Sequence, residues 1–432
     1  MKEIFKELIS DFHTGTLPVV KRRELKLPSF PRGVRKALTL IGMRRSGKTW
    51  CLYQIMQDLL AQGVDKSRIL YLNFEDERLA GMQTEHLQEI LTGYFELYPQ
   101  YLRDQNVHFF FDEIHEVEGW EKFVRRLLDQ EQMQIILTGS SSKMLSSEIA
   151  TSLRGRTYEL EIFPYNFREF VESSSEEIPT LFGSKQKIEM IHATYAFLKW
   201  GGFPETVGVA PDVHRNLLQG YTSSVIYRDI IERHHISHSH ALRQLLAHCL
   251  QNSAAIFSVN KIYANFKSMG YAIGKNTLYD FLDYFEDAYC FFCLEKYDLS
   301  LRKAAQSMKK LYAVDQGLIT AFSIASQFDL CAQLENAVFS HLRRQTANLF
   351  YYHTKEGKKI DFLAQLPNGT LNLVQVAVSI KMASTKRREV ESLQNAMEEL
   401  GLKQGTIVTI DEEEKIGSIT CVPAWKFFLE KY

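Results

Sequence analysis

The chain has 432 residues, 45% of them hydrophobic and 24% charged, with a formal net charge of -1; this is too long for one hydrophobic core and too apolar for a disordered chain. The charge balance argues neither for nor against nucleic acid. No apolar run has the length of a membrane span, the first residues lack a signal-peptide core, and six scattered cysteines make no disulfide framework, so a cytoplasmic protein of several domains is expected.

Residues 1–36 form an N-terminal segment in which Lys21, Arg22, Arg23, Lys26, Arg32, Arg35 and Lys36 face one acid, Glu24. Such a run suits either the phosphates of a nucleotide or polynucleotide, or a solvated connector. The apolar run Ala37-Leu38-Thr39-Leu40-Ile41 then predicts a strand, and Trp50-Cys51-Leu52-Tyr53-Gln54-Ile55 a helix. Between them lies Gly42-Met43-Arg44-Arg45-Ser46-Gly47-Lys48-Thr49, which has the spacing of a phosphate-binding loop. Glycines let the main chain curl so that successive N–H groups face phosphate oxygens, and the following helix adds its positive end. Gly42, Arg44, Arg45, Ser46, Gly47, Lys48 and Thr49 are therefore the candidate nucleotide-binding residues. Lys48 is expected on the β- and γ-phosphates and Thr49 on a magnesium ion.

Further strands are expected at residues 68–74, 107–113 and 134–140, alternating with helices, which predicts a parallel sheet with its ligand at the carboxyl ends of the strands. Val107-His108-Phe109-Phe110-Phe111 is apolar enough for a strand buried on both faces, and it ends in Asp112 and Glu113. Asp112 is placed to hold magnesium through water and Glu113 to orient the attacking water. Ser140, at the end of the next strand, is a candidate contact to the γ-phosphate or that water, or else a plain loop serine. In Leu153-Arg154-Gly155-Arg156, either Arg154 or Arg156 is a candidate to stabilise transition-state charge, from the same chain or a neighbour.

The phosphate loop, Phe111-Asp112-Glu113-Ile114-His115 with the following Gly119-Trp120-Glu121, Thr138-Gly139-Ser140-Ser141-Ser142, Leu-Arg-Gly-Arg and Gly201-Gly202-Phe203-Pro204-Glu205 together resemble a prokaryotic AAA+ ATPase family. In that family an ATPase domain of archaeal type is joined to a C-terminal domain of unknown function. The resemblance implies ATP and Mg2+ as ligands and ATP hydrolysis as the activity, with an α/β P-loop AAA+ sheet domain over residues 37–165 and a helical lid and connector over 166–250.

In that helical stretch Arg228 is a candidate sensor or a surface ion-pair partner, and His234, His235, His238 and His240 form a cluster better suited to solvent than to metal. Cys290 and Cys293 enclose two phenylalanines, which points to packing. Residues 251–325 read as a winged helix: Ser258 caps a first helix, Gly270 ends it, Gly274 opens a second, and strands follow near 289–294 and 310–314. The second helix is acidic, so contact with DNA would rest on its amino end and on Arg302, Lys303, Lys309 and Lys310.

Residues 326–432 look like a restriction-endonuclease core. Glu335 and Asp361 fit its first two positions, but Gln375-Val376-Ala377 stands where Glu-x-Lys is expected, with Lys381 the only nearby substitute. A fold retained without cleavage is expected. The leading function is thus an ATPase whose cycle switches or remodels a partner, with DNA, self-association or a protein partner all open. The alternatives are an ATP-licensed DNA endonuclease and a nucleotide-bound adaptor that hydrolyses little.

Overall fold

The structure is a computed structural model that describes residues 1–31, 34–102, 106–130, 133–139, 153, 155–174, 178–179, 181–298, 300, 302, 307–323 and 328–430. The chain divides into two compact units, residues 1–163 and 164–432.

The first unit is built on five parallel strands in the order β2-β3-β4-β1-β5. They are β1 (Ala37–Ile41), β2 (Ile69–Asn73), β3 (His108–Asp112), β4 (Gln134–Thr138) and β5 (Thr157–Glu161). All of β1 and β3 is buried, as their mostly apolar runs require, whereas the edge strand β5 carries Glu159 and Glu161 and is only partly buried. Helices α2 (Lys48–Ala61), α3 (Leu87–Leu97) and α4 (Trp120–Gln130) connect the strands.

The N-terminal segment, expected only as a basic stretch, begins with a helix, α1 (Lys2–Thr14), that buries Phe5, Leu8 and Ile9. Lys2 and Lys6 pair with Glu96 of α3. Much of its later charge is used internally: Arg22 meets Asp58 at 2.6 Å, and Arg35 donates to the carbonyls of Leu128 and Asp129 at the end of α4. Cations at a helix carboxyl end are favoured by the helix dipole.

The second unit begins with helices, α5 (Phe167–Ser173), α6 (Ser184–Trp200), α7 (Pro211–Ser224) and α8 (Ser239–Gln251), with a π-helical stretch at Val225–Ile231. Next come β6 (Ile256–Phe257), α9 (Val259–Ser268), α10 (Lys275–Asp287), β7 (Phe291–Lys296) and β8 (Lys309–Ala313). Ser258 caps α9 through the Lys261 N–H, and the expected strands sit one or two residues from their predicted positions. The remainder is α11 (Gln316–Phe322), α12 (Leu330–Arg343), β9 (Leu349–His353), β10 (Lys359–Gln365), β11 (Leu371–Val376), α13 (Ala383–Leu400), β12 (Gly405–Thr409), β13 (Glu414–Ile416), β14 (Ile419–Pro423) and α14 (Ala424–Leu429). The hairpin and helix after residue 410 have no counterpart in the sequence expectation, because short strands flanked by charged residues carry little periodic signal.

These strands form one nine-stranded sheet, β13-β14-β12-β11-β10-β9-β7-β8-β6. The join is the parallel pairing of β7 with β9, Glu295 opposite Phe350 and Lys296 opposite Tyr351. Leu393, Ala396 and Met397 of α13 bury one face of this sheet against Ile360, Leu363, Leu373 and Ile407.

The Gly201-Gly202 pair of the family motif has a packing role in this unit. The Asp315 carboxylate accepts from Gly202 N at 2.7 Å and Gly317 N at 2.8 Å, while Gly202 O accepts from Tyr165 N at 2.6 Å. A Cβ on Gly201 would lie 1.9 Å from Asp315 Oδ1, and one on Gly317 would lie 2.4 Å from the Trp200 carbonyl. Burial raises the Asp315 carboxyl to about 6.

Candidate nucleotide site

The loop after β1 has the backbone that its glycines permit. Gly42 has φ 147°, Gly47 has φ 98° and serves as the N-cap of α2, and Arg45 between them has φ 67°. A Cβ on Gly42 would approach the Ile162 carbonyl to 2.2 Å, so the loop lies directly on the chain leaving β5. Arg23 fastens it from behind: Nη1 donates to Ser46 O at 3.0 Å and Nη2 to Phe163 O at 2.7 Å. Gln54 holds the main chain of Arg23 on both sides. Sequence grouped Arg23 with a generic basic run, and only the fold reveals it as a brace.

Inside the loop, Lys48 is buried and its Nζ donates to the carbonyls of Gly42 at 3.1 Å and Met43 at 3.4 Å. The Ser46 hydroxyl is fully buried and without a hydrogen-bond partner. A buried ammonium, an unsatisfied hydroxyl and a curl that no Cβ could enter fit a phosphate chain. Arg44 faces Glu75, beyond β2, at 3.7 Å.

Strand β3 ends beside this loop. Asp112 is 1% exposed; Tyr71 donates to its Oδ2 at 3.1 Å, Thr138 donates to its Oδ1, and the nearby Thr49 hydroxyl also favours its charged form. Burial holds the Asp112 carboxyl above the usual carboxylate range despite these donors. The residues present fit a magnesium ion: Thr49 and Asp112 would offer neighbouring oxygen ligands, and a dication would offset the cost of burying the carboxylate.

Glu113 follows in the left-handed region at φ 54°, its N–H donating to Thr138 Oγ1 at 2.9 Å. Thr138 thus braces both acids through one hydroxyl. Tyr71 and Thr138 were not singled out from sequence, although the parallel register that pairs Phe111 with Leu137 places Thr138 beside Asp112.

The other candidates are placed differently. Ser140 and Arg154 lie outside the described residues. Arg156 lies at the amino end of β5, where its carbonyl accepts from Ala37 N at 2.8 Å and its guanidinium pairs with Asp129. The phosphate loop follows the opposite end of β1, roughly 13 Å away along the strand. The fold therefore gathers Lys48, Thr49, Asp112 and Glu113 at one edge and keeps Arg156 at the other.

In the second unit, Glu335 and Asp361 do come together, but around a cation that the sequence expectation put elsewhere. Lys310 is buried, not on an exposed wing, and its Nζ donates to Glu335 Oε1 at 2.9 Å and Asp361 Oδ1 at 3.1 Å. It cannot meet an external phosphate from there. Lys309 pairs with Glu295 at 3.1 Å, and Lys303 lies outside the described residues. Tyr312 donates to Glu335 at 2.7 Å, Val376 N to Asp361 at 3.1 Å, and Gln375 Nε2 to Glu389 at 2.8 Å. Lys381 is exposed and faces Glu412 instead.

Burial and the neighbouring Asp361 raise the Glu335 carboxyl to about 7. Burial depresses the Lys310 ammonium, yet Asp361 and Glu335 outweigh it and leave the net shift upward. Elsewhere, His234 stacks on Tyr284 at 3.7 Å and His240 meets the Tyr271 hydroxyl at 2.7 Å, so the histidine cluster disperses onto separate aromatic partners. Among the described residues no group of three or more potential ligands is arranged for a metal ion. Nor is any described helix long and apolar enough to cross a membrane.

The chain is similar to several known proteins. The AAA domain family matches residues 34–171, and two domains of unknown function, DUF8612 and DUF4143, match residues 192–329 and 332–427. The uncharacterized protein MJ1544 of Methanocaldococcus jannaschii is 33% identical over 449 residues, covering 99% of this chain and 96% of its own. An uncharacterized protein of Haemophilus influenzae is 29% identical over 340 residues, covering 78% of this chain and 82% of its own. Among solved structures, the Walker-type ATPase PABY2304 of Pyrococcus abyssi aligns at 14% identity with a TM-score of 0.42, over 67% of this chain and 91% of that one.

Proposed function

The chain belongs to the family of the uncharacterized protein MJ1544 and carries an AAA domain, and from that premise we propose that it is a magnesium-dependent ATPase that works as a switch on a partner. The observation that carries this reading is the phosphate loop itself, where the buried Lys48 ammonium and the unsatisfied Ser46 hydroxyl line a curl that no Cβ could enter, with Thr49 near Asp112 of β3. The loop N–H groups and the start of α2 receive the phosphates, and Lys48 turns from the Gly42 and Met43 carbonyls towards them. Thr49 and Asp112 would hold Mg2+, which neutralises charge on the phosphate oxygens. Glu113 orients the attacking water, and the preset main chain of both acids supplies positioning rather than covalent chemistry.

Ser140 is the proposed sensor of the γ-phosphate and Arg154 the proposed charge-stabilising arginine. Arg156, at the amino edge of the sheet and engaged by Asp129, suits that task only towards a neighbouring copy. Residues 164–432 serve in this reading as the responding platform, with the α9–α10 pair as a winged helix open to weak DNA phosphate contact. The tail keeps a nuclease-like core without cleavage, a view supported by Lys310 standing between the two carboxylates that a metal would need.

The test is phosphate release by Glu113→Gln. Turnover should fall by at least about 100-fold while ATP stays bound. Turnover equal to that of the unaltered chain would remove hydrolysis from the function and leave the adaptor reading.

A further inference from the structure

His115 follows Glu113 by two residues, on the 3-10 turn Ile114–Glu116. Its side chain is only 2% exposed, although a turn at the end of a strand offers ready access to water. Both ring nitrogens face carboxylates: Nδ1 is 3.2 Å from Glu113 Oε2, and Nε2 is 3.1 Å from Glu116 Oε1. Glu116 is at the surface, with 40% of its side chain exposed, whereas the Glu113 side chain is 13% exposed. Acid, imidazole and acid thus form a line from solvent to the candidate catalytic carboxylate.

The main chain of Glu113 is already fixed by the Thr138 hydroxyl and by its left-handed turn. What remains free is side-chain rotation, and that is the freedom a neighbour at Oε2 removes. Both approaches, Nδ1 to Glu113 Oε2 and Nε2 to Glu116 Oε1, are close without hydrogen-bond alignment, and such contacts in ligand-free sites commonly tighten only when substrate is bound. A buried histidine needed only for packing would not require an acid at each nitrogen.

We infer that His115, braced by Glu116, is a positioning residue for Glu113: it holds Oε2 so that the other carboxylate oxygen is presented to the attacking water. This rests on the ATPase reading of the site. His115 touches no reacting atom in this scheme, and its effect passes entirely through Glu113.

The experiment is steady-state ATP hydrolysis with Mg2+, comparing His115→Phe, which keeps the volume, His115→Asn, which keeps a side-chain donor, and Glu116→Ala at the surface. Thermal melting and binding of a fluorescent ATP analogue are measured for each. His115→Phe should lower kcat by roughly 10- to 100-fold with KM for ATP within about twofold, as expected for a misplaced catalytic group. His115→Asn should recover most of that loss, and Glu116→Ala should lower kcat by a few-fold. In a Glu113→Gln background, His115→Phe should cost nothing more, because the group it positions is gone.

Unchanged kcat in His115→Phe would overturn the inference, as would His115→Asn being equally impaired or an added loss in the double variant. Should His115→Phe not fold, Glu116→Ala with full kcat overturns it instead. Glu113→Gln distinguishes the two failures. If it stops turnover and the His115 variants do not change it, only this inference is lost; if it leaves turnover intact, the ATPase reading is lost as well.

Discussion

At the scale of the residue, Lys310 shows how much a single buried charge can decide. Two carboxylates converge on its ammonium, and the Tyr312 phenol donates to one of them, in a setting where an unpaired ion is costly. Lys310→Met should therefore destabilise the chain by about 3 to 5 kcal/mol in chemical denaturation at pH 8, since it leaves the two acids facing each other. The deficit should shrink as pH falls from the alkaline range towards about 7, because Lys310 holds the Glu335 carboxyl down and without it Glu335 takes up its proton at a higher pH than in the unaltered chain. The sign is fixed by the upward shift of Glu335: the fold binds that proton before the unfolded chain does, so acid favours the folded variant. A deficit that grows on acidification would contradict this account. Lys310 was misplaced from sequence because Lys309 and Lys310 are adjacent in a strand whose side chains alternate between faces, and composition does not say which of the two points inward.

Elements were more legible than side-chain partners. The phosphate loop, the buried strands β1 and β3, and the helix capped by Ser258 follow from patterns that local chemistry imposes: glycine at a curl, mostly apolar runs, an N-cap serine. Thr138, Tyr71 and Arg23 were not, because each acquires its role from a strand register or a chain crossing that only the tertiary fold creates. The Gly201-Gly202 turn is the clearest case of a motif whose value lies in joining elements, here the end of α6 and the start of α11 through Asp315. Gly201→Ala should cost about 3 kcal/mol or more, because the added methyl overlaps the Asp315 carboxylate at a position with φ 74°. Urea denaturation with an unchanged midpoint would show that the turn can shift to admit it.

Across residues 164–432, the family boundaries and the physical boundaries do not coincide. Two domain families meet near residue 330, yet β7 and β9 pair across that point and Lys310 reaches over it to Glu335 and Asp361. A fragment of residues 332–430 should therefore fail to fold alone: it would expose the edge of β9 and strand the two acids without their cation. Circular dichroism and denaturation of that fragment test the point, and a cooperative transition matching that of residues 164–430 would refute it.

The pairing of β7 with β9 also bears on how such proteins can be recombined. A hybrid made from two relatives by exchanging segments near residue 330 must match strand register and the Lys310 triad from both parents at once. An exchange between residues 163 and 164 breaks neither, so domain shuffling in this family should leave its viable junctions there.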